Sequence, residues 1–243
     1  MPLDSDLQAR ATQADTSSRS NMPSHMYVNP FTGLYLLTQV SNSFNGLVEV
    51  IVGPQKQVFR LHKEILCNFS SYFRAALEGS FAEGLTQKIE LPEDDVTVFE
   101  CFRMWLYSPI SQKSVPSASE LYRYIDVPLK SLFDLYVFAD IRDIPLLQNF
   151  TMDTIIWVTG RTVTCIGSLI HHVYGRTTPK SPLRKLLVDW WIKFPHLTWL
   201  EEQYYGNYSK RFLFEVALAQ SKLGPQGSKM DHDLWEARTD YHV

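Results

Sequence analysis

The sequence predicts an α+β fold, with three short strands in one stretch of the chain and helices through most of the rest. The strands announce themselves first. "LVEVIV" at 47–52 is a β-branched run, "PQK" is a tight connection, and "QVFRLH" at 57–62 alternates Val58, Arg60 and His62 against Phe59 and Leu61. Two strands this close make a hairpin. "QKIEL" at 87–91 supplies a short third strand. Elsewhere apolar residues return at every third or fourth position, the spacing of helices with one buried face.

Taken in order, residues 1–26 are polar, rich in Ser, Thr, Asp and Gln, and nearly free of aromatic and β-branched apolar residues. Such a segment cannot offset the entropy of ordering, so a disordered N-terminal tail is expected. Residues 27–44 ("YVNPFTGLYLLTQV" and on) are more apolar and read equally as a short helix or an extra strand. After the hairpin, Ile65, Leu66 and Phe69 recur at helical spacing. Ser70 or Ser71 is placed to cap a second turn carrying Tyr72, Phe73, Ala76 and Leu77. Asp94 or Asp95 is placed to N-cap a helix with Val98, Phe99, Phe102, Trp105 and Leu106, which Pro109 ends. The stretch 108–130 holds Pro109, Pro116 and Pro128 and is long for a connection, so it is a functional loop or contains a short element around "SELYRYI".

Leu132, Leu135, Tyr136 and Ala139 restore helical spacing, as do Leu146, Leu147, Phe150, Ile155 and Ile156 after Pro145. Beyond a break at Thr159-Gly160, "RTVTCIGSLIHHVY" reads as helix and "GRTTPKSP" as loop. The run 183–194 is the most regular: Leu183, Leu186, Leu187, Trp190, Trp191 and Phe194 form one stripe, with Arg184, Lys185 and Asp189 on the other faces. A last helix covers 209–223. The organisation expected is therefore a tail (1–26), a main domain (45–158), a helical extension (160–223) and a flexible C-terminal tail (224–243), with no internal repeat.

Composition narrows the function classes. In 243 residues, 45% apolar and 13% aromatic content suffices for a core, and 23 basic residues against 26 acidic give a net charge of −3 with pI near 6.2. That balance offers no field for wrapping by nucleic acid or anionic lipid, so partners must be recognised by shape. Cys67, Cys101 and Cys165 are odd in number with no CxxC, which suggests a reducing compartment and neither a disulfide framework nor a zinc ribbon. Residues 1–26 lack a signal-peptide apolar core, and no apolar run approaches the roughly 18–20 residues of a membrane span. A cytoplasmic or nuclear protein is expected.

His62, Lys63, Glu64 and Cys67 lie within six positions and look reactive at first sight. A zincin helix would need a second His four residues on, which is missing. No orienting group accompanies Cys67, so a buried, inert thiol is the better reading. Adjacent His171 and His172 face different sides of a helix with no Cys or carboxylate at ligand spacing. P-loop, GxGxxG and GxSxG motifs are also missing. The expectation is no catalytic residues, no metal, no cofactor and no enzyme.

As a set, the motifs resemble the BTB/POZ domain family. The pattern HKxxLxxxSxxF is met by His62, Lys63, Leu66, Ser70 and Phe73, and FxxFxxWLY by Phe99, Phe102, Trp105, Leu106 and Tyr107. "LYVFADIRDIPLL" at 135–147 is similar to the family's paired-helix signature, and the resemblance covers about 47–158. Beyond it, "SPLRKLLVDWW" at 181–191 resembles the extension of short fungal proteins with a single BTB domain. The fold implied is a small three-stranded sheet capped by helical hairpins, with His62 a structural residue at a strand-to-helix junction, able to satisfy orphan backbone groups.

The resemblance also implies a protein-interaction module: a self-associating scaffold, or a substrate adaptor bridging to the cullin of a ubiquitin ligase. Cullin-binding members often carry a hydrophobic-x-Glu motif before the third strand, and Phe81-Ala82-Glu83 in "EGSFAEGLTQ" fits it. An exposed aromatic would fill a partner's pocket while the carboxylate orients it. Tyr107, with Leu121, Tyr122 and Tyr124 of the long loop, is expected to add protein-binding contact area. A homodimer is the alternative: many self-associating relatives carry an Asp at the start of the first strand, where this chain has Glu49, and 27–40 could supply a swapped element. A transcription-associated role would call for a DNA-binding module, and no Cys/His spacing or basic stripe supplies one. For an adaptor, the substrate surface would lie in 160–243 or the N-terminal tail.

Overall fold

Three strands form a sheet of order β2-β1-β3: β1 (Leu47–Val52) runs antiparallel to β2 (Gln57–His62) and parallel to β3 (Lys88–Leu91). Val50 sits opposite Phe59 on one side and Ile89 on the other. The alternation works as the pleat requires: Val48, Val50, Val52, Phe59, Leu61, Ile89 and Leu91 turn into the core. The computed structural model describes residues 46–108, 111, 121, 124, 126–161, 167–194, 206, 208–223 and 234–243. The expectations for 1–26 and 27–44, and those resting on Tyr122 and Cys165, lie outside these residues.

Two helical hairpins flank the sheet. Helix α1 (Lys63–Phe69) starts directly from β2, and α2 (Ser71–Glu78) follows one residue later. Ser70 makes that sharp connection by doing two jobs: its Oγ accepts from Phe73 N–H at 3.1 Å and donates to Arg142 O at 2.6 Å. A short helix α3 (Ala82–Thr86) leads into β3, and Asp95 caps α4 (Val96–Leu106), its Oδ1 accepting from the N–H groups of Thr97 and Val98 at 2.7 and 3.2 Å. Helices α5 (Leu129–Ile141) and α6 (Pro145–Thr159) form the second hairpin, with Pro145 at the first position of α6, where its missing N–H costs nothing. Phe99, Phe102 and Phe138 close the seam between α4 and α5, Phe102 and Phe138 lying 5.1 Å apart between ring centroids.

Three more helices follow: α7 (Gly167–Arg176), α8 (Pro182–Lys193) and α9 (Lys210–Leu223). The stripe of α8 is core, with Leu183, Leu186, Leu187, Trp190 and Trp191 all buried and Trp191 edge-on to Phe212 of α9 at 5.1 Å. Buried residues of the sheet half and the extension belong to one continuous apolar cluster.

Two expectations are corrected. Arg184 does not face outward: it is buried, its Nη2 donating to Tyr174 O at 2.8 Å and its Nε to Thr177 Oγ1 at 2.9 Å, so it closes the α7 C-terminus and the turn after it. The flexible C-terminal tail gives way, at 234–243, to a docked segment ending in a 3-10 turn (Arg238–Tyr241), with Leu234 and Tyr241 buried. Tyr241 supplies the reason, an aromatic ring to bury and a hydroxyl that reaches Asp189 at 2.9 Å.

Ser70→Ala should cost about 2 kcal/mol, because one change removes the α2 cap and orphans the buried Arg142 carbonyl. Ser71→Ala, which loses only an exposed bond to Asp143, should cost well under half of that. Urea denaturation of the two variants beside wild type measures the difference.

Candidate protein-interaction surface

The segment between α2 and β3 is built to hold Phe81 outward. Gly79 ends α2 so close to the preceding turn that a Cβ there would stand 2.3 Å from Ala75 O and 3.1 Å from the Phe81 ring. Gly84 is equally confined, with a Cβ meeting Gly79 O at 2.6 Å. These two glycines let α3 lie against the end of α2. Gln87 then takes a left-handed conformation at φ 52°, its side-chain amide donating to Gly84 O while its own carbonyl accepts from Glu49 N–H of β1 at 3.0 Å. What looks in sequence like a loop is therefore a pinned helical turn.

No residue of α3 is buried. Phe81, at its N-cap, is 62% exposed, and Leu85, one helical turn on and so on the same side, is 87% exposed. Glu83 is half-buried and, among the described residues, makes no ion pair. The arrangement is an aromatic and an aliphatic side chain displayed beside a carboxylate. Leu85 lies outside the residues that the sequence reading singles out; its signal is the four-residue spacing in "FAEGL".

The other expected contact residues divide. Tyr107 is half-buried at the C-terminal end of α4, where its hydroxyl accepts from the His62 backbone N–H and meets His62 Nδ1, both at 3.0 Å. Donation from the hydroxyl to Nδ1, with the imidazole proton on Nε2, uses every group. His62 is thus a junction residue that engages a tyrosine on α4. Burial holds the Tyr107 phenol above its ordinary value. Leu121 and Tyr124, expected to add contact area, are instead core: they are 0% and 1% exposed, and the Tyr124 ring packs edge-on to Phe150 of α6 at 5.0 Å. Residues that fill the space over α6 have no surface left to offer a partner. The structure therefore does not gather these five residues into one patch.

Residues 40–127 match the family model described as the BTB/POZ domain. The chain carries a BTB/POZ domain. This is a protein-interaction module, and the sheet with its flanking hairpins is the fold that the match implies. No curated protein matches the chain. The BTB/POZ match and the extension together leave three reactive-looking groups to place. Cys67 and Cys101 are buried free thiols, both pushed up by burial, Cys101 to about 11. His172 donates through Nε2 to Asp134 Oδ1 at 2.6 Å, a carboxylate that also takes Lys130 at 2.7 Å and Arg176. The sequence hid this because Asp134 lies 38 residues away on α5. Glu49, the candidate dimer residue, accepts from Arg60 across the hairpin at 3.1 Å. Among the described residues no helix is long and apolar enough to cross a membrane, and no three potential ligands gather to hold a metal.

Burial alone would raise the Asp134 carboxyl, but Lys130, His172 and Arg176 outweigh it and hold it below its ordinary 3.8. A depressed carboxyl adds stability that is present above the unfolded value and lost as pH falls through the folded one. Asp134→Asn should therefore lower the melting temperature at pH 7 and flatten its decline below pH 4, as scanning calorimetry across that range would register.

Proposed function

We propose that the chain is an adaptor whose BTB/POZ domain engages a cullin through the Phe81-Ala82-Glu83 turn. The observation that carries this reading is the display of Phe81 and Leu85 on a helical turn with no buried residue of its own. Large exposed apolar side chains held rigidly beside a carboxylate are the composition of an interface hot spot, not of a solvated loop. Pinning by Gly79 and Gly84 supports it further, because a fixed turn loses little entropy when a partner closes on it. Phe81 inserts into an apolar pocket, Leu85 widens the contact, and Glu83, which makes no ion pair among the described residues, orients the partner at the rim. The extension does not compete for this role: its tryptophans Trp190 and Trp191 are buried. Its surface is left for the protein to be recruited.

Binding of the purified chain to a cullin N-terminal domain, read by calorimetry, tests the reading. Phe81→Ala with Glu83→Ala should weaken it about thirtyfold or more with the circular dichroism spectrum unchanged. Wild-type chain that binds no cullin, or a double variant that binds as tightly as wild type, would remove the adaptor role and leave self-association as the function of the domain.

A further inference from the structure

Residues 234–243 are held to the extension side of the molecule in the way a receptor holds a peptide. Helix α6 presents Asn149 and Asp153 four residues apart on one face. The Asn149 side chain clasps the backbone of Val243 from both sides, Oδ1 accepting from its N–H at 2.8 Å and Nδ2 donating to its oxygen at 3.4 Å. His242 Nε2 donates to Asp153 Oδ1 at 2.9 Å. From α8, Asp189 accepts the Tyr241 hydroxyl at 2.9 Å, and Lys185 Nζ stands 4.0 Å above the Tyr241 ring centroid. Three successive residues are each read by a different side chain, and two helices supply the readers.

The occupant does not fill the site. Asp153 is 0% exposed, yet its Oδ2 has no hydrogen-bond partner among the described residues. Arg238 Nε approaches Asp153 Oδ1 only to 3.8 Å and is buried without a hydrogen bond, because the guanidinium is turned to Trp235, its Nη1 donating to Trp235 O at 2.7 Å and its plane lying 4.3 Å from the Trp235 ring centroid. A buried carboxylate is stabilised best by a guanidinium forked across both oxygens, and here the fork is present in the segment but out of reach. A peptide free to place its arginine would gain what the tethered one forgoes.

We propose that the face carrying Asn149, Asp153 and Asp189 is a docking site for a linear segment of a protein partner, and that residues 234–243 occupy it in cis as a competitor. The chemistry selects an arginine a few residues ahead of a Tyr-His pair: the guanidinium on Asp153, the hydroxyl on Asp189, the following backbone on Asn149. The segment's only regular structure is the turn Arg238–Tyr241, and none of its residues belongs to a helix that packs the core. Cis occupancy lowers the apparent affinity of an outside peptide by the fraction of chains in which the site is open. The inference uses no residue of α3 and stands apart from cullin binding.

The test titrates a fluorescein-labelled peptide, LWEARTDYHV, into the full chain and its full-length variants by fluorescence anisotropy, with melting curves to confirm folding. Tyr241→Ala with His242→Ala weakens the cis occupant and should bind the peptide at least about tenfold more tightly than wild type. Adding Asp153→Asn, or the milder Asn149→Ala, should abolish that gain. If the double variant does not fold, Tyr241→Phe, which loses only the bond to Asp189, should still show a gain of about threefold. Equal binding by wild type and tail variants, or a gain that survives both pocket substitutions, overturns the proposal. A dimer in light scattering that the free peptide dissolves also overturns it, by assigning the site to the segment of a second copy.

Discussion

The burial of α6 from Phe150 to Val158 is the constraint on which the rest of the structure depends. Every residue of this stretch is buried, which leaves no side of it for water, so its polar groups must be satisfied by the protein. Thr151 and Thr154 turn their hydroxyls back to the carbonyls four residues earlier, at 2.7 and 2.8 Å. Gln148 reaches Asp140 of α5, and Asp153 takes His242. Each such bond requires a neighbour in one place, since an unpaired buried group costs about 1–3 kcal/mol. The helix therefore dictates where α5, the Tyr124 ring and the 234–243 segment sit.

Polar ties also mark the seams around it. Ser70 and Asp94 both converge on Arg142, through its carbonyl at 2.6 Å and its guanidinium at 2.5 Å, which fixes the α1–α2 hairpin and the start of α4 to the end of α5. The guanidinium is stacked 4.0 Å above the Phe138 ring, so its charge is paired and its flat face is covered. Arg184 performs the same service between α7 and α8. Helix α3 differs: backbone contacts and glycine fit pin it, while no apolar side chain of it is drawn inward. Apolar groups left outside a structure so thoroughly tied elsewhere are informative in a way that scattered exposed leucines are not.

Local physics made much of this legible in advance. The strands followed from alternation, the caps from hydroxyl and carboxylate chemistry beside helical periodicity, which left Ser70 or Ser71 and Asp94 or Asp95 for the structure to choose between, and the α8 stripe from its regular spacing. Phe81 stood out through the hydrophobic-x-Glu motif that the BTB/POZ resemblance implies, not through any local pattern. What stayed hidden depends on partners distant in sequence. Nothing near Leu121 or Tyr124 shows that α6 needs a lid, and nothing near His172 reveals Asp134. Arg184 looked solvent-facing because charge is the only local clue, whereas its burial comes from carbonyls at the end of another helix. Polarity likewise marked residues 224–243 as a tail, although Tyr241 and His242 find their acceptors on α8 and α6.

Two buried aspartates show how satisfaction of a charge separates scaffold from site. Asp134 has both oxygens engaged, by His172 and Arg176 on one and Lys130 on the other, and it joins α5 to α7 with nothing left to bind. Asp153 is more deeply buried, yet one oxygen is open and the nearest guanidinium nitrogen stops at 3.8 Å. Selection for stability alone would close that gap or replace the carboxylate with an apolar group, because an incompletely paired buried charge is worse than none. An open, buried carboxylate oxygen facing the docked 234–243 segment is what a site suited to a better-fitting occupant requires.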